Sequence, residues 1–338
     1  MRHILIIGVG SIGERHLRCF LATGRVTASI VETNPELRAT IAARYAVKSA
    51  YASLDEALSD ARLAVERPDA AVVCTPAQLH IPMAQQLADR GIHLLIEKPL
   101  STSFDGIERL ATTIAERKLV AGVAYVLRMH PVLASMRESI QSGRFGSPVE
   151  LVAVCGQHFP TYRPAYRQIY YTNRATGGGA IQDALTHVVN AGQWLVGPVD
   201  RVIADAAHQV LEGVEVEDTV HLLARHGRLL ANYSLNQHQA PNETTITVIC
   251  ERGAARAELH AMRWRWMTKP GGEWTAEHFE PIERDSLFVA QAQMLLDALD
   301  GRRPVSCTLD EALATLRVNL GALRSLDTQS FVTVNETQ

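Results

Sequence analysis

The sequence predicts a two-domain α/β chain: a doubly wound parallel sheet over residues 1–124, then an α/β domain over residues 125–338 with a large, mostly antiparallel sheet. Three observations predict it. Over residues 1–124, short apolar runs alternate with stretches at helical spacing, the rhythm of repeated βα units. Those runs are rich in Ile, Val and Leu without polar alternation, as strands covered on both faces require. From Val199 onward, β-type runs succeed one another across short turns, which favours antiparallel neighbours.

In order, the first-domain strands are His3–Ile7, Thr27–Glu32, Ala70–Cys74, His93–Glu97 and Val120–Ala124. The helices are Ile12–Thr23, Pro35–Tyr45, Ser53–Ala61, Ile81–Arg90 and Phe104–Arg117, each with apolar residues near helical spacing. After Tyr125 a helix (Val132–Gln141) ends at Gly143, a strand (Val149–Gly156) follows, and His158–Thr176 is polar and aromatic. A glycine run then opens the helix Ala180–Leu195. Strands follow at Val199–Ala206, Thr219–Ala224, Leu229–Leu235, Thr244–Cys250 and Ala254–Leu259, and helices at Ser286–Asp300 and Leu309–Ser325. No repeat or low-complexity linker marks the boundary near residue 124; the change of rhythm places it.

At 338 residues the chain suits two domains, and 47% hydrophobic with 20% charged residues is an ordinary globular composition. A net charge of −3 offers no basic field to a polyanion, so nucleic acid is not an expected partner. No apolar run approaches the roughly 20 residues that span a bilayer, so no membrane partner is expected either. The run Ile4–Val9 is too short for a signal-peptide core. Five scattered cysteines show neither a disulfide framework nor metal-ligand spacing, so the expected setting is cytoplasmic and the expected metal none.

The strongest local motif is Gly8-Val9-Gly10-Ser11-Ile12-Gly13, after a strand and opening a helix. Its glycines permit a tight turn and close backbone approach to a pyrophosphate, which the helix N-terminus then binds. Glu32 ends the second strand, where a carboxylate accepts hydrogen bonds from ribose hydroxyls and repels a 2′-phosphate. This is the pattern of a Rossmann dinucleotide-binding domain, with NAD expected in preference to NADP, although Arg38 on the next helix is within reach of that end. Cys74-Thr75-Pro76 ends another strand on the carboxyl side of the sheet, with His80 on the following helix as a ligand contact or a helix-capping group.

Glu97-Lys98-Pro99 ends the next strand. Proline bars helix at Lys98 and keeps it extended. An ammonium there can stabilise an alkoxide; a salt-bridged or solvated lysine is the alternative. Gly177–Gly179 lead into Asp183 and His187, four apart and on one helix face, which suits a proton acceptor with its orienting carboxylate or an ordinary surface pair. Tyr162, Arg163, Tyr166, Arg167, Tyr170, Tyr171 and Arg174 precede them. Tyrosines pack on sugar faces and arginines hold anionic groups, and an exposed loop or subunit contact is the other reading. Arg128 and His130 follow the last strand of the first domain, lining a crevice or a domain junction.

Together these motifs resemble the glucose–fructose oxidoreductase / inositol dehydrogenase / MocA (Gfo/Idh/MocA) family over nearly the whole length. The resemblance rests on Gly8-x-Gly10-x-x-Gly13, Thr75-Pro76 with His80, Gly91-Ile92-His93 leading into Glu97-Lys98-Pro99, and Gly177–Gly179 with Asp183 and His187. One departure is Ala77-Gln78, where the family usually has Asn after the Thr-Pro. The resemblance implies an NAD(P)-dependent oxidoreductase moving hydride between nicotinamide and a secondary alcohol or ketone of a sugar, sugar acid, nucleotide sugar or cyclitol. It implies catalytic roles for Lys98, His187 and Asp183, with His187 as proton acceptor. It implies cofactor contacts at Gly8, Gly10, Ser11, Ile12, Gly13, Glu32, Thr75, Pro76, His80, Glu97 and Lys98. Substrate contacts are expected at Lys98, Arg128, Tyr162, Arg163, Asp183 and His187. It further implies a cis Lys98–Pro99 bond and a homodimer or homotetramer formed through the open face of the C-terminal sheet. An NAD-dependent glycosidase that cycles hydride transiently, and a non-catalytic cofactor or sugar sensor, are the other functions on this fold.

Overall fold

The computed structural model describes residues 1–61 and 67–334. Contacts divide the chain into two units, Met1–Val126 with Ile282–Leu309, and Leu127–Pro281 with Asp310–Gln338.

The first unit holds β1 (Arg2–Ile7), β2 (Val26–Val31), β3 (Ala50–Tyr51), β4 (Ala70–Val73), β5 (His93–Ile96) and β6 (Ala121–Val123). All pair in parallel, in the order β3-β2-β1-β4-β5-β6. Ile4, Leu5 and Ile6 are fully buried, as a strand covered on both faces must be. The winding reverses between β1 and β4, and beyond their carboxyl ends lies the usual ligand crevice of such sheets. The two-residue β3 is too short to announce itself by periodicity.

The helix Ser286–Leu299 belongs to this unit rather than to the second half, where the change of rhythm puts it. Its Ala292, Leu295 and Leu296 join Ile4, Ile6, Leu17 and Phe20 in one core. Ion pairs line the seam with the glycine-turn helix Ser11–Ala22: Arg18 Nη2 to Asp285 at 2.9 Å, and just beyond that helix Arg25 to Asp297 at 2.7 Å and to Asp300 at 2.8 Å. These pairs are partly exposed and worth under about 1 kcal/mol each, so apolar burial does the binding. An amphipathic pattern says that a helix has a core face; it does not say which core.

The second unit is a nine-stranded sheet in the order β14-β13-β12-β11-β7-β10-β9-β8-β15. Its strands are β7 (Pro148–Gly156), β8 (Arg201–Ala207), β9 (Thr219–His226), β10 (Leu229–Asn236), β11 (Glu243–Cys250), β12 (Gly253–Glu258), β13 (Arg263–Met267), β14 (Thr275–His278) and β15 (Val332–Thr333). Only β7 and β10 pair in parallel. One face is core: Val220, Leu222 and Ala224 of β9 and Ala231, Tyr233 and Leu235 of β10 lie under residues of the helices Pro131–Gln141, Thr186–Val196 and Leu309–Thr328. The other face leaves Leu223 and Leu230 about half exposed. β13 escapes the apolar pattern because it reads Arg-Trp-Arg-Trp-Met. Trp264 is buried while Arg263 and Arg265 bond to Glu258, so the alternation is there in a charged and aromatic form. Among the described residues, no helix is long and apolar enough to cross a membrane.

Candidate active site

The chain leaves β1 at Gly8, whose φ of +79° is the left-handed region that glycine tolerates. Gly13 is required for a different reason: a Cβ there would lie 1.8 Å from the Gly8 carbonyl oxygen. A Cβ at Gly10 would meet nothing within 4 Å, so the turn is open at that position. Ser11 and Ile12 begin the helix, whose first amides point at that opening.

Glu32 is fixed from two sides. Its carboxylate accepts the Val9 N–H at 3.0 Å, inside the turn, and the Asn34 N–H at 2.9 Å. Asn34 in turn caps the helix Pro35–Tyr45 through the amides of Glu36 and Leu37. Arg38 donates to the Glu32 carbonyl at 2.6 Å. The acid therefore stands beside the glycine turn with a cation one helical turn away. Substitution Glu32→Ser is expected to weaken NADH binding about tenfold or more, the worth of a hydrogen bond to a charged group, and to narrow the preference over NADPH. Fluorescence titration with both nucleotides checks this; an unchanged NADH to NADPH ratio contradicts it.

At the end of β5 the lysine turn is built on a buried carboxylate. Glu97 is 5% exposed. One oxygen meets His16 Nε2 at 2.7 Å, and the other accepts the Lys98 N–H at 2.9 Å. Burial alone would raise this carboxyl; the bond from His16, its charge and the nearby Lys98 outweigh it and hold the group below the usual carboxylate range. The Lys98–Pro99 peptide is cis, and Lys98 is half-buried. His80 is buried with Nδ1 3.0 Å from the Pro99 carbonyl and Nε2 2.8 Å from the Thr75 carbonyl. Burial pushes its pKa down against the pull of these bonds, and a neutral imidazole carries one N–H, so only one carbonyl accepts at a time. Thr75 is half-buried and Pro76 exposed at the end of β4. Of the expected cofactor contacts, then, His80 and Glu97 have side chains committed within the unit, around the lysine turn.

In the second unit the glycine run turns through positive φ at Gly177 and Gly179. A Cβ on Gly179 would sit 2.5 Å from the buried Glu217 carboxylate. Glu217 accepts the Ile181 N–H at 3.2 Å and Arg174 Nε at 2.8 Å, so it caps the helix start that the glycines open. The helix begins as a π turn, Ile181–Leu185, before the α-helix Thr186–Val196. Such turns recur at functional sites, and this one carries Asp183. Asp183 is buried and accepts the Tyr170 hydroxyl at 2.6 Å. His187 is half-buried on the first turn of the α-helix.

The stretch between is not an unstructured loop. Phe159, Tyr166 and Tyr171 form a small core with Leu211, Val214 and Val216. Tyr162 and Arg163 stand exposed on its surface. Tyr170 is the aromatic residue of this stretch that bonds to Asp183. The expected substrate contact Arg128 is buried, with Nη1 2.6 Å from Glu311 and Nε 2.9 Å from Asn190; its guanidinium is engaged inside the unit. His130 is also buried, its Nδ1 has no hydrogen-bond partner among the described residues, and burial pushes its pKa down from 6.5 to about 4. A lowered folded pKa favours the neutral ring. The stability it contributes is complete above about pH 6.5 and is lost as pH falls toward about 4. Urea unfolding between pH 7 and 4.5 should show a shallower loss for His130→Leu than for the wild type; parallel curves contradict this.

Two functional candidates were missed by sequence reasoning, His16 and Glu217, and a third, Tyr170, was named by it but not singled out. His16 had a weak signal, three positions after Gly13 on the glycine-turn helix. Tyr170 stood among seven similar candidates. Glu217 sits in a connection and had none. Among the described residues, no group of three His, Cys, Asp or Glu side chains is arranged to hold a metal ion.

Two family models match the chain: the oxidoreductase family with NAD-binding Rossmann fold over residues 2–125, and the GFO/IDH/MocA C-terminal domain over residues 133–256. UDP-N-acetylglucosamine 3-dehydrogenase of Acidithiobacillus ferrooxidans is 25% identical over 327 residues, 94% of each chain. Levoglucosan dehydrogenase of Pseudarthrobacter phenanthrenivorans is 27% identical over 210 residues, 59% of this chain and 52% of its own, so the match spans about half of that relative. A solved levoglucosan dehydrogenase in complex with NADH superposes with a TM-score of 0.88 at 18% identity, covering 99% of this chain and 100% of its own, a likeness of fold.

Proposed function

Because this chain belongs to the Gfo/Idh/MocA oxidoreductases and carries their NAD-binding Rossmann domain, we propose that it is an NAD-dependent dehydrogenase or reductase of a carbohydrate secondary alcohol. Its substrate is a sugar, sugar acid, nucleotide sugar or cyclitol; a sugar, a nucleotide sugar and a cyclitol are named in the activities of its relatives. One observation carries the reading: the glycine turn after β1 and the Lys98 turn after β5 lie at carboxyl ends of one parallel sheet. The turn fits a dinucleotide, with room at Gly10, none to spare at Gly13, and an anchored acid at Glu32.

When bound, NAD supplies the hydride acceptor at C4 of its nicotinamide. The protein's share is proton and charge handling. Lys98 polarises the carbinol oxygen and stabilises the alkoxide character that develops as hydride leaves. His187 takes the hydroxyl proton, and Asp183 orients the substrate or His187. Tyr162 and Arg163, exposed on the aromatic stretch, are the candidates for holding the remoter part of the substrate.

The test is NADH formation with levoglucosan, UDP-N-acetylglucosamine, inositols and uronic acids, each with NAD and with NADP. Net NADH is expected with at least one of them. Product without net NADH would make the chain a transiently redox-cycling glycosidase, and binding without turnover a sensor; either overturns the reading. Five free cysteines suit a reducing, cytoplasmic setting. The exposed apolar residues Leu223 and Leu230 on the uncovered sheet face suit a homodimer or homotetramer formed through it; a sedimentation mass equal to one chain overturns that.

A further inference from the structure

We infer that two buried histidines, His16 and His80, are positioning residues for Lys98; this rests on the reading of Lys98 as the group that polarises the reacting oxygen. The lysine turn is tied down on both sides of that residue. On its N-terminal side, Glu97 donates its N–H to the Val73 carbonyl at 2.9 Å, which completes the strand. The Glu97 carboxylate then folds back to accept the Lys98 N–H, and it is His16 that holds the carboxylate there. On its C-terminal side, the Pro99 carbonyl faces His80, whose other nitrogen faces Thr75 at the end of the neighbouring strand.

Neither ring is placed to meet a ligand itself. Both are 1% exposed. His16 is wedged against Phe288, edge to face at 5.5 Å, and its Nδ1 is buried with no hydrogen-bond partner among the described residues. The ring's polar capacity is therefore spent on Glu97, and a buried polar atom left without a partner is a cost that packing alone would avoid with a phenylalanine. His16 also lies on the helix that Gly10 and Gly13 open. One chain of contacts thus runs from the dinucleotide turn through His16 and Glu97 to the lysine backbone, and a second from the Thr75 loop through His80 to Pro99. Displacement of a reacting group by about 1 Å costs up to about a hundredfold in rate, so such ties matter to chemistry without touching substrate.

The test compares His16→Ala, His16→Gln, His80→Ala, Glu97→Gln and Lys98→Ala, with levoglucosan or UDP-N-acetylglucosamine as substrate. NADH fluorescence counts the binding sites, and turnover is expressed per site, so unfolded molecules do not enter. His16→Ala and His80→Ala are expected to lose ten- to a hundredfold in kcat per site, with NADH affinity and substrate KM within about threefold. His16→Gln, whose amide N–H reaches where Nε2 stood, should recover most of the loss. Turnover per site within threefold of wild type in both alanine variants overturns the proposal, since a purely structural pair would lower the melting temperature and the site count alone. Should the alanine variants form no NADH sites, Glu97→Gln decides by the same criterion. If neither sugar reduces NAD, the rate at which pyridoxal phosphate and borohydride label Lys98 in the NADH-bound protein is read instead, and an unchanged rate in every variant overturns it. A Lys98→Ala variant at full turnover would sink the functional reading itself; loss there with none in the histidine variants sinks the inference alone.

Discussion

Gly13→Ala is expected to abolish NADH binding while leaving the second unit folded. The added Cβ would stand 1.8 Å from the Gly8 carbonyl oxygen and 2.8 Å from its carbon. Both are backbone atoms, and Gly8 is held by its own N–H to the Val31 carbonyl at 2.8 Å. No side chain can swing aside. The helix Ser11–Ala22 must move off the sheet, and with it Leu17 and Phe20, which are fully buried. Overpacking of this kind costs about 1–3 kcal/mol and more where backbone must shift. The check is NADH fluorescence together with circular dichroism. NADH affinity within threefold of wild type would mean that the turn is looser than its geometry.

The second large effect belongs to Lys98. Replacement by alanine removes the ammonium that the proposed reaction offers to the oxygen, and kcat should fall about a hundred- to a thousandfold, as when a single donor to a developing oxyanion is lost. The lysine turn should still form, because the backbone N–H that Glu97 accepts is kept by alanine. NADH binding within a few fold of wild type, alongside the lost turnover, is the expected pattern. Equal loss of both would assign Lys98 to cofactor binding instead.

Much of this was legible in the sequence, and the reason differs from part to part. The strands β1, β2, β4 and β5 announced themselves because a strand covered on both faces has no polar alternation to blur it. The glycine turn and Glu32 were legible because their constraints are steric and local: a tight turn, a close contact, an acid at a strand end. Lys98, Asp183 and His187 were not persuasive singly, since a lysine after a strand or an Asp and His four apart on a helix is common; they became so as one ordered set. What stayed hidden depends on partners distant in sequence. Nothing near Glu97 says that its carboxylate will meet His16, 81 positions earlier. Arg128 looked like a ligand-binding cation because its counter-charge, Glu311, comes far later in the chain. The helix Ser286–Leu299 was assigned by rhythm to the wrong core for the same reason. β13 hid its alternation behind arginines whose charge is answered by Glu258.

That returning helix also sets an order of events during synthesis. The six parallel strands leave the ribosome first, within residues 2–123. Their core stays unsealed until Ala292, Leu295 and Leu296 have been made, nearly the whole chain later. The cofactor-binding half is thus begun first and finished among the last, and for most of translation it carries an uncovered apolar flank beside the glycine-turn helix. A nascent chain arrested near residue 280 should bind hydrophobic-surface chaperones strongly, while one extended past residue 334, so that the helix Leu309–Thr328 and β15 also close the second core, and clear of the exit tunnel should not.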